Sequence, residues 1–400
     1  LSKVKLMGGA GSAYKINING LAVIEADNIE LAANDSIYIF VTVNVNPSAA
    51  NLPFIISDSI LINYNGNNRF VQLQSYGQNA HFLNNTMIAA NTVWPNDLPY
   101  VILGGIQIDT AISLTINAGC RIYSHANAPF IVDGTLIING TKGNEVQFAS
   151  DRLDEPYKNF PGGWPGIYFR GKSQDNEITF AVIKNAYQAL VLDGPSINAN
   201  PKLQMHQCII DNAYDAGILS FNSSIRADNS LISNCGKNIN IALGGDYVFT
   251  NCTIASYSNN FLSHKSPVLT ATDIAEQNGS IISADLNAIF RNCIFWGDNN
   301  IVENEAVISK QGSSIFNVLF DHSLYKAIDD PANSILTAVI RNSDPSFDSI
   351  DVSNKYYDFR ITKNLLAPGI DQGAAIGFLK DLDDNNRIVG QPDLGCYEKQ

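Results

Sequence analysis

Three stretches of this chain return at a fixed interval: Gln207-Cys208-Ile209-Ile210-Asp211-Asn212, Asn229-Ser230-Leu231-Ile232-Ser233-Asn234 and Asn251-Cys252-Thr253-Ile254. Cys208, Ser230 and Cys252 stand 22 residues apart. A unit of that length with two or three short strands cannot bury its own apolar face, so it must stack on its neighbours. Helical periodicity at i, i+3, i+4, i+7 is missing from the units. The leucine-rich repeat is excluded because no L-x-x-L-x-L run occurs, and a propeller blade needs about 40–45 residues. A parallel β-helix fits. The spacing then places Ile209 and Leu231 in an apolar ladder inside the coil, with the small Cys or Ser beside them. Asn212 and Asn234 fall at a corner, where one amide can bond the same amide one rung away.

The pattern does not run the whole length. Residues 1–88 read as a small antiparallel β-sandwich, because alternating runs such as "DSILINY" and "RFVQLQSYG" flank Asn65-Gly66-Asn67-Asn68, a hairpin signal. Residues 89–340 hold the coils and 341–400 form a closing segment. The expected fold is therefore all-β: a sandwich, a right-handed parallel β-helix, and a cap that covers the last coil's open edge and apolar end.

Charge and cysteine usage narrow the function classes. A net charge of −13 argues against nucleic acid and anionic membrane surfaces as partners. No run of 18 apolar residues exists, so the sequence predicts no transmembrane segment. The six cysteines (Cys120, Cys208, Cys235, Cys252, Cys293 and Cys396) are dispersed. Cys208 and Cys252 would lie two rungs, roughly 9–10 Å, apart in stacked coils. That is too far for a disulfide. They read as small buried fillers, and no spacing suggests zinc.

The C-terminal series Asp344-Pro345-x-Phe347, Tyr357-Asp358-Phe359-Arg360-Ile361, Ala367-Pro368-Gly369-Ile370-Asp371-x-Gly373, Asp381-x-Asp383 through Arg387, and Asp393-Leu394-Gly395-Cys396-Tyr397-Glu398 resembles the closing region of secreted bacterial right-handed parallel β-helix proteins. "SLTINAGCRIYSHANAPFIVDGTLIINGTKGNEVQFASDR" and "WPGIYFRG" are similar to the opening coils of that group. "NIELAANDSIYIFVTVNVNP", which ends at Pro47, and "DSILINYNGNNRFVQLQSYGQ" resemble an N-terminal sandwich of envelope lipoproteins from gut-type Gram-negative bacteria. The resemblance implies export to the cell envelope and a lipid anchor on a Cys upstream of Leu1. It implies no activity, since the fold hosts lyases, hydrolases and adhesins alike.

Chemistry on such a fold is assembled across rungs. Alternation points Tyr168 and Arg170, Val191 and Asp193, and Leu219 and Phe221 outward, with Leu262, His264, Glu303 and Glu305 following. Arg170, Asp193 and Tyr168 are the candidate catalytic groups for a polysaccharide lyase or glycoside hydrolase, against a plain Arg170–Asp193 ion pair on adjacent rungs. Trp164, Tyr168 and Phe221 are candidates for an aromatic platform that stacks sugar rings, against a Trp164 that merely packs a loop. Asp381, Asp383 and Asn385 alternate as calcium ligands do, but without the Gly and Glu of the EF-hand loop, so the cofactor expectation is none, with calcium as the alternative. The five histidines form no triad pattern. The leading functional expectation is a non-catalytic envelope protein that binds a polysaccharide, a cell-surface glycan or another surface partner. The alternatives are an enzyme on the exposed strand face and a structural spacer or adhesin stalk.

Overall fold

The computed structural model describes residues 1–45, 54–298, 301–387 and 389–400. The expected end of a run at Pro47 lies outside them. The chain forms two compact units, Leu1–Ala80 and His81–Gln400.

The first unit is antiparallel throughout. A four-stranded sheet runs in the order Glu25–Asp27, Lys3–Leu6, Phe54–Tyr64, Asn67–Gly77. The ribbon Tyr14–Ile18 with Ile39–Val43 shares its core. Val4, Leu6 and Ile60 of the sheet pack with Tyr14, Ile16 and Ile18 of the ribbon. The Tyr14 hydroxyl, at 2.9 Å from both Ile56 O and Ser75 Oγ, ties the two layers. Asn65 and Gly66 have φ of 49° and 78° and pair Tyr64 with Asn67, so the expected turn is a two-residue loop with left-handed residues.

The second unit is built from parallel strands in three columns. The first column is an 11-stranded sheet from His81–Leu83 to Ile340–Arg341. The second runs from Thr86–Ile88 to Ala306–Ser309 and the third from Thr92–Trp94 to Ile335–Thr337. The last two join where Ala216–Asp228 and Lys237–Thr250 pass from one column to the next through a register shift at Asn222. Each turn of chain before the last ones supplies one strand per column, which makes the arrangement solenoid-like. The boundary expected at 88 falls at 80/81, because His81–Leu83 and Thr86–Ile88 already pair with the second unit's strands.

The 22-residue spacing is one rung: Ile209 pairs with Leu231 and Leu231 with Thr253. The next step, Thr253 to Ile294, is longer because loops are inserted. The ladder inside the coil is one residue away from the expected one. Cys208 and Ile210, Ile232, and Cys252 and Ile254 enter the main core. Ile209 and Leu231 point outward into a separate cluster with Phe359, Leu382, Cys396 and Tyr397. Both members of each apolar pair are covered, Leu231 almost fully and Ile209 in part, against different partners from those of the inner residue, so apolarity alone could not choose the register. The amides preceding this column, Gln207, Asn229, Asn251 and Asn292, all have positive φ between 46° and 53°. Asn tolerates that conformation better than other side-chain-bearing residues. The small residue after each amide fits the crowded inner corner, where Cys208 Sγ lies 3.4 Å from Ile178 O.

The closing segment therefore does more than follow the last coil. It lies along the outer flank of the first column, covering positions from Ile209 to Ile340. It is pinned to the corner amides. Gln207 Nε2 donates to Asp381 O at 2.7 Å, Arg387 Nε to Asn229 Oδ1 at 2.9 Å and Asn292 Nδ2 to Ala374 O at 2.9 Å. Arg387, 1% exposed, also donates to Asp393 O, Gly395 O and Glu398 Oε2. All six cysteines are free and buried. Among the described residues no helix is long and apolar enough to cross a membrane.

Candidate functional site

The corners between the first and second columns vary in length, and that variation makes a groove. Three consecutive corners are tight: residues 185–187, 212–215 and 234–236. The corners before and after them are long, residues 151–166 and 257–268. These long loops leave the sheet four rungs apart, roughly 19 Å at ~4.8 Å per rung. They lean together above the tight corners, with the Phe160 and Phe261 rings 4.8 Å apart. The hairpin of Ser349–Asp351 with Tyr356–Asp358 adds a third wall. The enclosed cavity is about 260 Å³.

The floor amides hold the walls. Asn185, Asn212 and Asn234 take φ of 61°, 58° and 54°. Asn212 Nδ2 donates to Asn185 Oδ1 at 2.7 Å, the rung-to-rung amide bond that the repeat suggests, and to Asn159 O at 3.1 Å. Asn185 Nδ2 bonds Lys158 O at 2.7 Å. Asn234 departs from the series: its Nδ2 donates to Asp211 Oδ1 at 3.1 Å, and its Oδ1 accepts from Tyr257 N. The buried Tyr357 hydroxyl meets the Asn259 side chain across the lining, and Asn212 Oδ1 is buried beside it.

Three lysines complete the lining. Lys158 Nζ is 2.6 Å from Glu155 and Lys184 Nζ is 3.5 Å from Asp211. Lys355 Nζ sits 4.3 Å above the Phe261 ring, a cation–π contact. Burial holds the Tyr357 phenol above its ordinary value. Asp211 is the one carboxylate in the lining. Two residues beyond the first two floor amides, Tyr187 and Tyr214 stack at 5.6 Å and 23°, 46% and 52% exposed.

The residues singled out from the sequence lie elsewhere. Tyr168, Arg170, Asp193 and Phe221 do face outward on the second column, with Tyr168 beside Val191 and Asp193 beside Phe221. Arg170, however, pairs with Asp133 on the preceding rung through Nε and Nη2, and Gln107 also donates to that carboxylate. The guanidinium holds Asp133 below the usual carboxylate range. Asp193 is thus not the partner of Arg170; its carbonyl instead receives the Lys202 ammonium at 2.6 Å. Lys202 is fully buried, capped also by the carbonyls of Arg170 and Gly171, and burial pushes its pKa down to about 8. No substrate reaches it.

Trp164, Tyr168 and Phe221 do not share one exposed aromatic face. Trp164 is 1% exposed, stacks on Phe148 and donates Nε1–H to Lys184 O at 2.8 Å, so it packs a loop onto the coil. The half-buried Tyr168 donates to Pro165 O. The exposed aromatic pair, Tyr187 and Tyr214, had a legible signal: Asn-Ala-Tyr occurs at both 185–187 and 212–214.

The calcium candidates are engaged within the protein. Asp381 is buried and accepts from the backbone N–H groups of Asp383, Asn385 and Glu398. Asp383 pairs with Lys142 and Arg360. Asn385 is exposed and its backbone closes the turn on Asp381. Among the described residues no group of three or more His, Cys, Asp or Glu side chains is placed to hold a metal. Glu305 and His264, expected outward, form a buried pair at 2.9 Å, because the inserted loop 257–268 folds over them. The other four histidines each meet an Asp.

Comparison of the chain with models of protein families, with curated proteins and with solved structures gives no match.

Proposed function

We propose that this is an exported cell-envelope protein, a right-handed parallel β-helix that binds a glycan in the corner groove without cleaving it. One observation carries the reading: a cavity of about 260 Å³ is lined by the amides of Asn212 and Asn234 and the ammonium groups of Lys158, Lys184 and Lys355, polar groups drawn from separate corners and from the hairpin. A sugar hydroxyl both donates and accepts, which matches a lining of amides and ammonium groups.

The lining supports binding over catalysis. A hydrolase needs two carboxylates about 5–9.5 Å apart, and Asp211 stands alone. A lyase needs a Lys, Arg, Tyr or His base, and burial raises the pKa of Tyr357, which disfavours that residue for the part. The three lysines are the observation that favours the lyase alternative, since they can neutralise a uronate carboxylate.

The test is glycan-array and calorimetric binding with Tyr357→Phe. Removing a buried hydroxyl that meets only the Asn259 side chain should change stability by no more than about 1 kcal/mol. The same change should weaken glycan binding about three- to tenfold. Weakened stability with unchanged binding would refute the reading, and unsaturated or reducing-end products would replace it with the lyase or hydrolase. The export part rests on the resemblance of the two chain ends and is tested by fractionating the cells that make the protein.

A further inference from the structure

We propose that the groove is selective for an acidic sugar residue, one carrying a carboxylate or sulfate, and that neighbouring rings of the same chain stack on Tyr187 and Tyr214. This rests on the glycan reading above and adds the ligand class to it.

The charge distribution argues first. The chain carries a net charge of −13, yet this lining gathers Lys158, Lys184 and Lys355 with one lining carboxylate, Asp211, and with Glu155 paired to Lys158 from outside it. Lys158 and Lys184 are 47% and 46% exposed at their side chains, and the Lys184–Asp211 contact is loose at 3.5 Å. Lys355 leans on the Phe261 ring. Covering these ammonium groups with an uncharged sugar would remove water and return little. An anionic group restores charge-assisted hydrogen bonds, the stronger kind. The protein's overall negative field opposes such a ligand at long range. At physiological ionic strength it is screened beyond ~8 Å, while the lysines act at contact.

Size and the aromatic step argue next. About 260 Å³ lies at or below the lower limit of ordinary small-molecule sites, so the cavity suits one charged residue of a chain, not a whole oligosaccharide. The rest of the chain needs a surface. Tyr187 and Tyr214 continue directly from the floor residues Asn185 and Asn212, on adjacent coils. Their backbone N–H groups are fixed to Trp164 O at 2.7 Å and Ala186 O at 2.9 Å, so the main chain that carries the stacked rings is held in place. Gly162 passes beside both; a Cβ there would come within 3.3 Å of Tyr214.

The experiment uses the full chain at about 0.15 M salt, near physiological ionic strength. Binding is measured to polygalacturonate, alginate and a sulfated glycosaminoglycan, each beside a charge-blocked form: methyl-esterified, carboxyl-reduced or desulfated. At least one acidic polymer should bind, and its blocked form should bind at least tenfold more weakly. Lys184→Met and Lys355→Met should each weaken binding about five- to tenfold. Tyr187→Ala with Tyr214→Ala should weaken long chains more than a single uronic acid. Unchanged thermal unfolding of these exposed-residue variants checks that they fold. Equal binding of acidic and blocked forms, lost in Tyr357→Phe, would overturn acid selectivity and leave the glycan reading intact. No binding to any glycan, or binding that every groove variant retains, would sink both.

Discussion

Leu231→Ala separates the two sides of the first column. Leu231 is 6% exposed and packs outward with Phe359, Leu382, Cys396 and Tyr397, while its neighbour Ile232 is fully buried in the coil. Truncating a buried Leu costs about 2–5 kcal/mol, depending on how far the site collapses. The closing segment has little regular structure and can relax, which favours the lower half, about 3 kcal/mol. The loss falls on the docking of that segment, because the strand's own hydrogen bonds and inward ladder are untouched. In native-state hydrogen exchange, the amides of Gly395, Cys396 and Glu398 report it. They donate to Asn292 O, Thr253 Oγ1 and Asp381 Oδ2. Where they exchange through local undocking, 3 kcal/mol accelerates them roughly a hundredfold. Amides of strands Ile209–Asp211 and Thr253–Ser256 should change far less. Ile232→Ala should do the reverse, loosening the coils first. If Leu231→Ala opened the coils while the three reporter amides kept their protection, the outward register and the flank docking would both be wrong.

Three further outcomes follow from the same geometry. Burial pushes the Glu398 carboxyl from its ordinary 4.5 up to about 8. A carboxyl raised on folding makes the folded state bind the extra proton, so stability is present at low pH and falls as pH rises from about 4.5 towards about 8. Urea melts across that window should show the decline, and Glu398→Gln should flatten it. Asp133→Asn should lower stability by about 0.5–1 kcal/mol at neutral pH, since its partner Arg170 is half exposed, while Asp193→Asn should change nothing measurable. Trp164→Ala should cost about 3–5 kcal/mol in chemical denaturation with no loss of glycan specificity; a specificity change with intact stability would return Trp164 to the binding surface.

What the sequence disclosed and what it hid have physical causes. Strand repeats, the Asn65-Gly66 turn and small buried cysteines are local signals, fixed by backbone geometry and side-chain size. The register of the first column was not local. Ile209 and Ile210 are both apolar because a segment about 150 residues later covers the outer one, and periodicity has no access to that partner. The candidate site was hidden by the same logic. Lys158, Lys184, Asn212 and Lys355 come from separate corners and a distant hairpin, brought together by unequal loop lengths. Only the repeated Asn-Ala-Tyr lay in plain view, and its meaning depends on knowing that tight corners stack. The Arg170–Asp193 expectation was right about which rungs adjoin and wrong about which carboxylate is offered: Asp133, on the other adjacent rung, takes the guanidinium bidentately.

A stack of coils can ordinarily gain or lose one without penalty, since each coil meets only its neighbours. Here that freedom is confined. The closing segment grips Gln207, Asn229 and Asn292 at set heights along the stack, as a strip of fixed pitch. One coil added between Asn229 and Asn292 would shift every later grip by ~4.8 Å, the spacing of the strands. The buried Arg387 and the carboxyl of Glu398 would then face the wrong rung. The number of turns beyond Lys142, which pairs with Asp383, is thus metered by a segment that adds no strand to the three columns, while the coils before it remain free to vary in number.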